Sequence, residues 1–125
     1  MDRALARFAV DVRRVEKPWG YEVIWATTEL YCGKLLFVRA GEALSLQLHR
    51  QKDETIYVHE GRLEFEMGEE AGAVASAVVE PGAAFHVRPG TVHRMRALED
   101  SILLEVSTSH LDDVVRLEDR YGRAT

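Results

Sequence analysis

The chain predicts an all-β domain, a sandwich or barrel of short strands, and three observations carry that expectation. Apolar and polar residues alternate with a period of two in successive short runs, as in Leu44, Leu46 and Leu48 against Ser45, Gln47 and His49. Turn signals such as Pro81-Gly82 and Pro89-Gly90 punctuate the chain about every eight to twelve residues. The runs themselves are rich in aromatic and β-branched residues, which fit a pleated, half-buried surface.

Taken in order, residues 1–15 fit either element: Phe8, Val10 and Val12 alternate, while Leu5, Phe8 and Val12 suit a helix. Lys17-Pro18-Trp19-Gly20 breaks the chain, and residues 21–26 and 30–40 then read as strands. Residues 44–49 and 54–59 form the next two, joined by a polar turn at 50–53. Residues 63–67 and 74–80 follow, linked by a Gly/Glu/Ala turn at 68–72. Residues 83–87, 92–97 and 102–107 complete the set. Only residues 111–121 break the rhythm. Leu111, Val114, Val115 and Leu117 are spaced for a short helix begun near Ser109 and stopped by Gly122. The expectation is one domain over 1–125, with a core barrel at about 20–108 and a helix at about 110–121.

Composition narrows the function classes. Hydrophobic content of 46% is that of an ordinary globular protein, and a formal net charge of −5 without a basic run argues against nucleic acid. No apolar run approaches membrane-spanning length, and the charged N-terminus does not read as a signal peptide. The single Cys32 cannot form an intramolecular disulfide; it reads as a buried, inert thiol and suits a reducing cytoplasm.

The chemistry concentrates in residues 41–61. Gln47 and His49, two apart on a strand, point the same way. Antiparallel pairing of 44–49 with 54–59 would return Glu54 to the side of His49. An amide oxygen, an imidazole and a carboxylate then share one spot, and His93, at the start of a later strand, is the fourth candidate. At this point the chain resembles the cupins, whose first motif, G-x5-H-x-H-x4-E-x6-G, is matched by Gly41, His49, Glu54 and Gly61, with Gln47 at the first histidine position. The second, G-x5-P-x-G-x2-H-x3-N, is matched by Gly82, Gly90 and His93, with Arg88 and Ala97 replacing the proline and the asparagine. The resemblance implies a double-stranded β-helix, or jelly roll. It also implies a divalent metal (Zn, Mn, Fe, Co or Ni) held by Gln47, His49, Glu54 and His93, and a homodimer. The Leu44/Leu46/Leu48 side would suit burial in that dimer.

A narrower resemblance links Pro18-Trp19-Gly20, Ser45-Leu46-Gln47-x-His49, His93-Arg94 and residues 112–123 to the C-terminal cupin domain of type II phosphomannose isomerases. The run at 50–54 departs from that family's His-His-Arg-Ala-Glu. It implies aldose–ketose isomerisation of a small sugar or sugar phosphate, with a metal-polarised carbonyl and a base near C2. Lys34 aligns with a lysine of that pattern. Glu105, opposite in parity to Ile102, Leu104 and Val106, would face the barrel interior, and both are candidate catalytic groups. An Fe(II) dioxygenase and a non-catalytic metal- or sugar-binding module are the alternatives. His59, Arg94 and Arg96 face away from the metal by parity, and Trp19 and Trp25 read as packing anchors. The tail 116–123 reads as a clasp over the barrel or a subunit contact.

Overall fold

The structure is a computed structural model describing residues 1–124. After one helical turn, α1 (Arg3–Ala6), the chain forms β1 (Arg13–Lys17), β2 (Gly20–Thr27), β3 (Cys32–Val38), β4 (Leu46–Leu48), β5 (Glu54–Glu60) and β6 (Leu63–Gly68). There follow β7 (Val74–Val79), β8 (Ala84–Val87), β9 (Val92–Ala97), β10 (Ser101–Ser107) and β11 (Val115–Glu118). They make two antiparallel sheets, β1-β2-β3-β10-β5-β8 and β11-β4-β9-β6-β7. The all-β jelly-roll expectation holds.

Alternation along the strands divides the space between the sheets into two halves. Inward residues such as Val38, Ile56, Val58, Leu63, Val87 and Leu103 fill one half with apolar side chains, and Phe65 stacks on Phe85 at 4.5 Å. Trp19 anchors this core as expected, whereas Trp25 does not, being 50% exposed on the outer face; Cys32 is buried, which raises its thiol pKa. In the other half the inward positions are Glu22 on β2, Lys34 on β3 and Glu105 on β10, facing Gln47 on β4 and Met95 on β9, with His93 fully buried against Glu54. A cleft of about 400 Å³ opens there. Glycine is required where strands meet closely: at Gly61, whose φ is +94°, a Cβ would collide with Ser101.

Two expectations about the elements are corrected. The expected hairpin of 44–49 with 54–59 does not form, because β4 pairs with β9 and β11 while β5 pairs with β10 and β8. Residues 49–53 instead carry the chain from one sheet to the other, and His49 meets Glu54 across the sandwich. The expected helix at 110–121 is also not formed. Its centre is β11, which adds to the free edge of β4 with Val115 opposite Leu48 and Arg116 opposite Gln47. An unpaired edge offers backbone donors and acceptors that a helix would leave open, and the β-branched Val114-Val115 pair suits the strand.

This tail is a clasp. Tyr121 hydrogen-bonds Glu42, and Arg120 Nη1 donates to the Gly41 carbonyl at 2.7 Å. The leucines read differently in the structure: Leu44 packs into the interior core, Leu46 is buried and Leu48 half-buried, so the three do not present one free side to a partner. Among the described residues no helix is long and apolar enough to cross a membrane.

Candidate metal centre

Three side chains from three segments converge at the inner end of the cleft. His49 lies just past β4, Glu54 begins β5 and His93 is the second residue of β9. One ligand atom from each lies within 4.8 Å of the others, and all three residues are buried. His49 Nε2 is 3.4 Å from Glu54 Oε2, and His93 Nε2 is 3.5 Å from Glu54 Oε1.

Backbone carbonyls fix both imidazoles. His49 Nδ1 donates to the Asp113 carbonyl at 2.5 Å, and His93 Nδ1 donates to the Thr91 carbonyl at 2.9 Å. A carbonyl can only accept, so each neutral ring carries its proton on Nδ1 and turns a bare Nε2 inward. The Pro89-Gly90 turn helps seat His49, since the Gly90 N–H donates to the His49 carbonyl at 2.7 Å. The result is a pair of inward imidazole acceptors with no donor aligned to them. His49 Nε2 and His93 Nε2 are inaccessible to solvent and without a hydrogen bond among the described residues, and the Glu54 carboxylate beside them meets only the Lys52 ammonium. Buried acceptors aimed at one another cost energy unless a cation sits among them. Two imidazoles and a carboxylate, without thiolate, are a donor set for a borderline divalent ion, and carbonyl-bound Nδ1–H groups are the orienting partners such ligands have.

Gln47 faces the same cleft and is the cross-strand partner of His93. Its Oε1 accepts a hydrogen bond from Ser45 Oγ at 3.0 Å. Lys34 and Glu105 are direct cross-strand partners, both buried and facing inward, with Lys34 Nζ 4.0 Å from Glu105 Oε2 and 3.4 Å from Glu22 Oε2.

Sequence reasoning missed Lys52. It lies in the run 50–53 that reads as a polar turn, yet it is only 4% exposed, and its ammonium lies 2.9 Å from Glu54 Oε2 and 3.0 Å from Glu105 Oε2. Its parity with Glu54 and Ile56 was the signal that could have found it. Burial alone would lower the Lys52 pKa, but Glu105 and Glu54 outweigh it and hold the group above the ordinary lysine range. Burial would likewise raise Glu54. The two imidazoles and Lys52 win, and the carboxyl stays well below the usual range, ionised as a ligand must be.

Asp113 was also missed as a site residue, although it lies in the 112–123 run that carries the narrower resemblance. Its carboxylate accepts from the backbone N–H groups of Arg50, Gln51 and Lys52 at 2.6–3.0 Å, which lowers its pKa to about 2. One residue thus orients His49 by its carbonyl and shapes the Lys52 loop by its side chain. The other histidines stay outside: His59 is exposed, and His86 pairs with Asp53 at 2.6 Å on the surface. Arg94 and Arg96 pair with Glu66 and Glu64 on the outer face, as parity required.

The family model described as a cupin domain matches residues 34–107. The chain is 34% identical over 119 residues to the xanthan biosynthesis protein XanB of Xanthomonas campestris pv. campestris, covering 89% of this chain and 24% of that protein. Mannose-1-phosphate guanylyltransferase 2 of Escherichia coli O157:H7 is 30% identical over 116 residues, covering 87% of this chain and 23% of its own length. The chain therefore spans about a quarter of the length of these curated relatives. Among solved structures, KdgF from a Halomonas species superposes with a TM-score of 0.66 at 25% identity, over 81% of this chain and 89% of that one. Oxalate decarboxylase from Bacillus subtilis superposes with a TM-score of 0.73 at 21% identity, over 86% and 30%, and shares the fold.

Proposed function

The chain belongs to the cupin family, and from that premise we propose that it is a metal-dependent enzyme of small sugars or sugar phosphates, interconverting aldose and ketose as mannose-6-phosphate isomerases do. The observation that carries this reading is the joining of two arrangements in one cleft. Three buried acceptors point at a common spot, and the Lys52–Glu105–Lys34 charge chain runs directly from it. Two relatives, one named for xanthan biosynthesis and one for a mannose phosphate, support a carbohydrate substrate.

His49, Glu54 and His93 would hold the ion, with Gln47 beside His93 as a fourth donor. A divalent ion there would polarise a sugar carbonyl and orient the neighbouring oxygens. Glu105 takes the proton from the carbon next to that carbonyl and returns it to the carbonyl carbon, while the proton of the hydroxyl on that neighbouring carbon passes to the carbonyl oxygen. Lys34 and Lys52 flank the carboxylate and hold it in place. The buried cleft floor keeps water from competing for that proton. A second reading is favoured by the same three ligands, since two histidines and one carboxylate also serve Fe(II) dioxygenases.

Metal analysis of protein purified without added metal, followed by a coupled assay on a panel of aldose phosphates, tests the proposal. Zinc or manganese with turnover and no oxygen uptake supports isomerisation, whereas iron with oxygen consumption supports the dioxygenase. Bound metal with neither activity leaves a binding module.

The homodimer belongs to the same reading, on a different face from the leucines first expected. The outer side of the six-stranded sheet carries Trp25, Tyr57, Leu104 and Val106, all more than a third exposed. A second copy would cover it.

A further inference from the structure

We propose that Arg116 anchors an anionic group of the substrate, so that the cleft selects a phosphorylated or carboxylated small sugar over a neutral one; the sugar itself rests on the function proposed above. The placement comes from strand register. On β11 Arg116 stands opposite Gln47, and Gln47 stands opposite His93 on β9. Cross-strand partners share a face, and Arg116 and Gln47 both line the cleft. Two strand spacings put the Arg116 backbone about 10 Å from that of His93. A small sugar held by one end at the metal centre extends its other end toward this position.

The guanidinium has unused binding capacity. Its Nε is inaccessible to solvent and has no hydrogen-bond partner among the described residues, and no carboxylate of those residues lies within ion-pair distance. The other buried or half-buried cations of the cleft are committed. Lys17 pairs with Glu22, Lys34 with Glu22 and Glu105, Lys52 with Glu54 and Glu105, and Arg123 with Asp119. Only Arg13, exposed on the β1 wall, is likewise without a carboxylate among the described residues.

Cations outnumber carboxylates six to four in the lining, although the whole chain carries −5. Asp112 is one of those four carboxylates, and it is exposed on the loop before β11 and screened by water, so the effective excess is larger. A planar guanidinium in a concave, partly desolvated site matches the paired oxygens of a phosphate or carboxylate. A neutral sugar can offer the guanidinium only single hydroxyl acceptors, which bind it more weakly than the charge-assisted pair from an anion, and this gives discrimination as well as affinity.

Calorimetric titration of the purified chain with mannose 6-phosphate, glucuronate and mannose tests this, on wild type and on Arg116→Gln and Arg116→Lys. The expected result is that one or both charged sugars bind at least about tenfold more tightly than mannose. Arg116→Gln should remove that advantage, leaving mannose binding, metal content and melting temperature unchanged, and Arg116→Lys should restore part of it. Mannose 6-phosphate binding with glucuronate silent assigns the anchor to phosphate, and the reverse assigns it to a carboxylate. Equal affinity of charged and neutral sugars, no binding of any of the three, or an Arg116→Gln variant that keeps the advantage would each overturn the proposal. Binding is read without turnover, so Arg116-dependent affinity with no isomerisation would remove the isomerase reading and leave the anchor standing.

Discussion

At the scale of single residues, the inward histidines and the buried lysine behave as opposite kinds of group. His49 offers a lone pair that nothing among the described residues uses, so its loss should cost the metal more than the fold. His49→Ala is expected to lower bound metal at least about tenfold by elemental analysis while the far-ultraviolet circular dichroism of a β-protein persists; full metal content in the variant would remove His49 from the ligand set. Lys52 neutralises two buried carboxylates at once. Lys52→Met leaves Glu54 without a cation and Glu105 with only Lys34 at 4.0 Å, and should destabilise the chelator-treated protein by about 3–5 kcal/mol in urea unfolding at pH 7, an expectation that an unchanged midpoint would refute. These residues also mark the limit of sequence reading. His49, Glu54 and His93 were legible because their spacing repeats a known motif. Glu105 was legible from strand parity, and Lys52 could have been. Asp113 was not, since its role depends on a carbonyl and a loop about sixty residues earlier in the chain, and no local pattern encodes such a contact.

At the scale of elements, the strands were legible wherever alternation was clean, and the errors fell where tertiary pairing overrode a local pattern. The segment around β11 has helical spacing, but the free edge of β4 needed a partner, and pairing decided the matter. The tail then became part of the site, because it brings Asp113 to His49 and Arg116 to the cleft. Asp113 gives this docking a pH signature. Its folded pKa of about 2 lies below the unfolded value of about 3.9, and the backbone N–H groups of Gln51, Arg50 and Lys52 are the cause. Its contribution is therefore complete above about pH 4 and is lost as pH falls through about 2. Asp113→Asn should be less stable than wild type by about 1–2 kcal/mol at pH 6, with the gap closing between pH 4 and pH 2 in urea titrations. A gap that stayed constant across that range would mean that the carboxylate charge has no part in holding the loop.

At the scale of the whole molecule, the two sheets present different outer faces. The five-stranded sheet carries charge pairs there, Arg94 with Glu66 and Arg96 with Glu64, which suit contact with water. The six-stranded sheet is apolar in continuous rows that follow its register. Tyr21, Phe37 and Ile102 make one row, with Tyr21 and Phe37 stacked at 5.1 Å, and Val23, Leu35, Leu104 and Tyr57 make the next. Trp25 packs over Gly33, whose partner is Val106, and Trp25 is 50% and Val106 56% exposed. The rows end at Arg14, Thr55 and Glu60, but an apolar face of this extent is uncommon on a chain that stays single, and a two-fold pairing of identical faces buries it with no other component. The central strand β10 would lie at the middle of that contact, where truncation or charge costs most. Sedimentation equilibrium should therefore give the mass of two chains for the wild type. The double variant Leu104→Glu, Val106→Lys should weaken association by about a hundredfold or more while keeping metal content, because Glu105 between them points to the opposite side of the strand. A wild-type protein that sediments as one chain at high concentration, or a double variant that pairs as tightly as its parent, would show that this face is not where two copies meet.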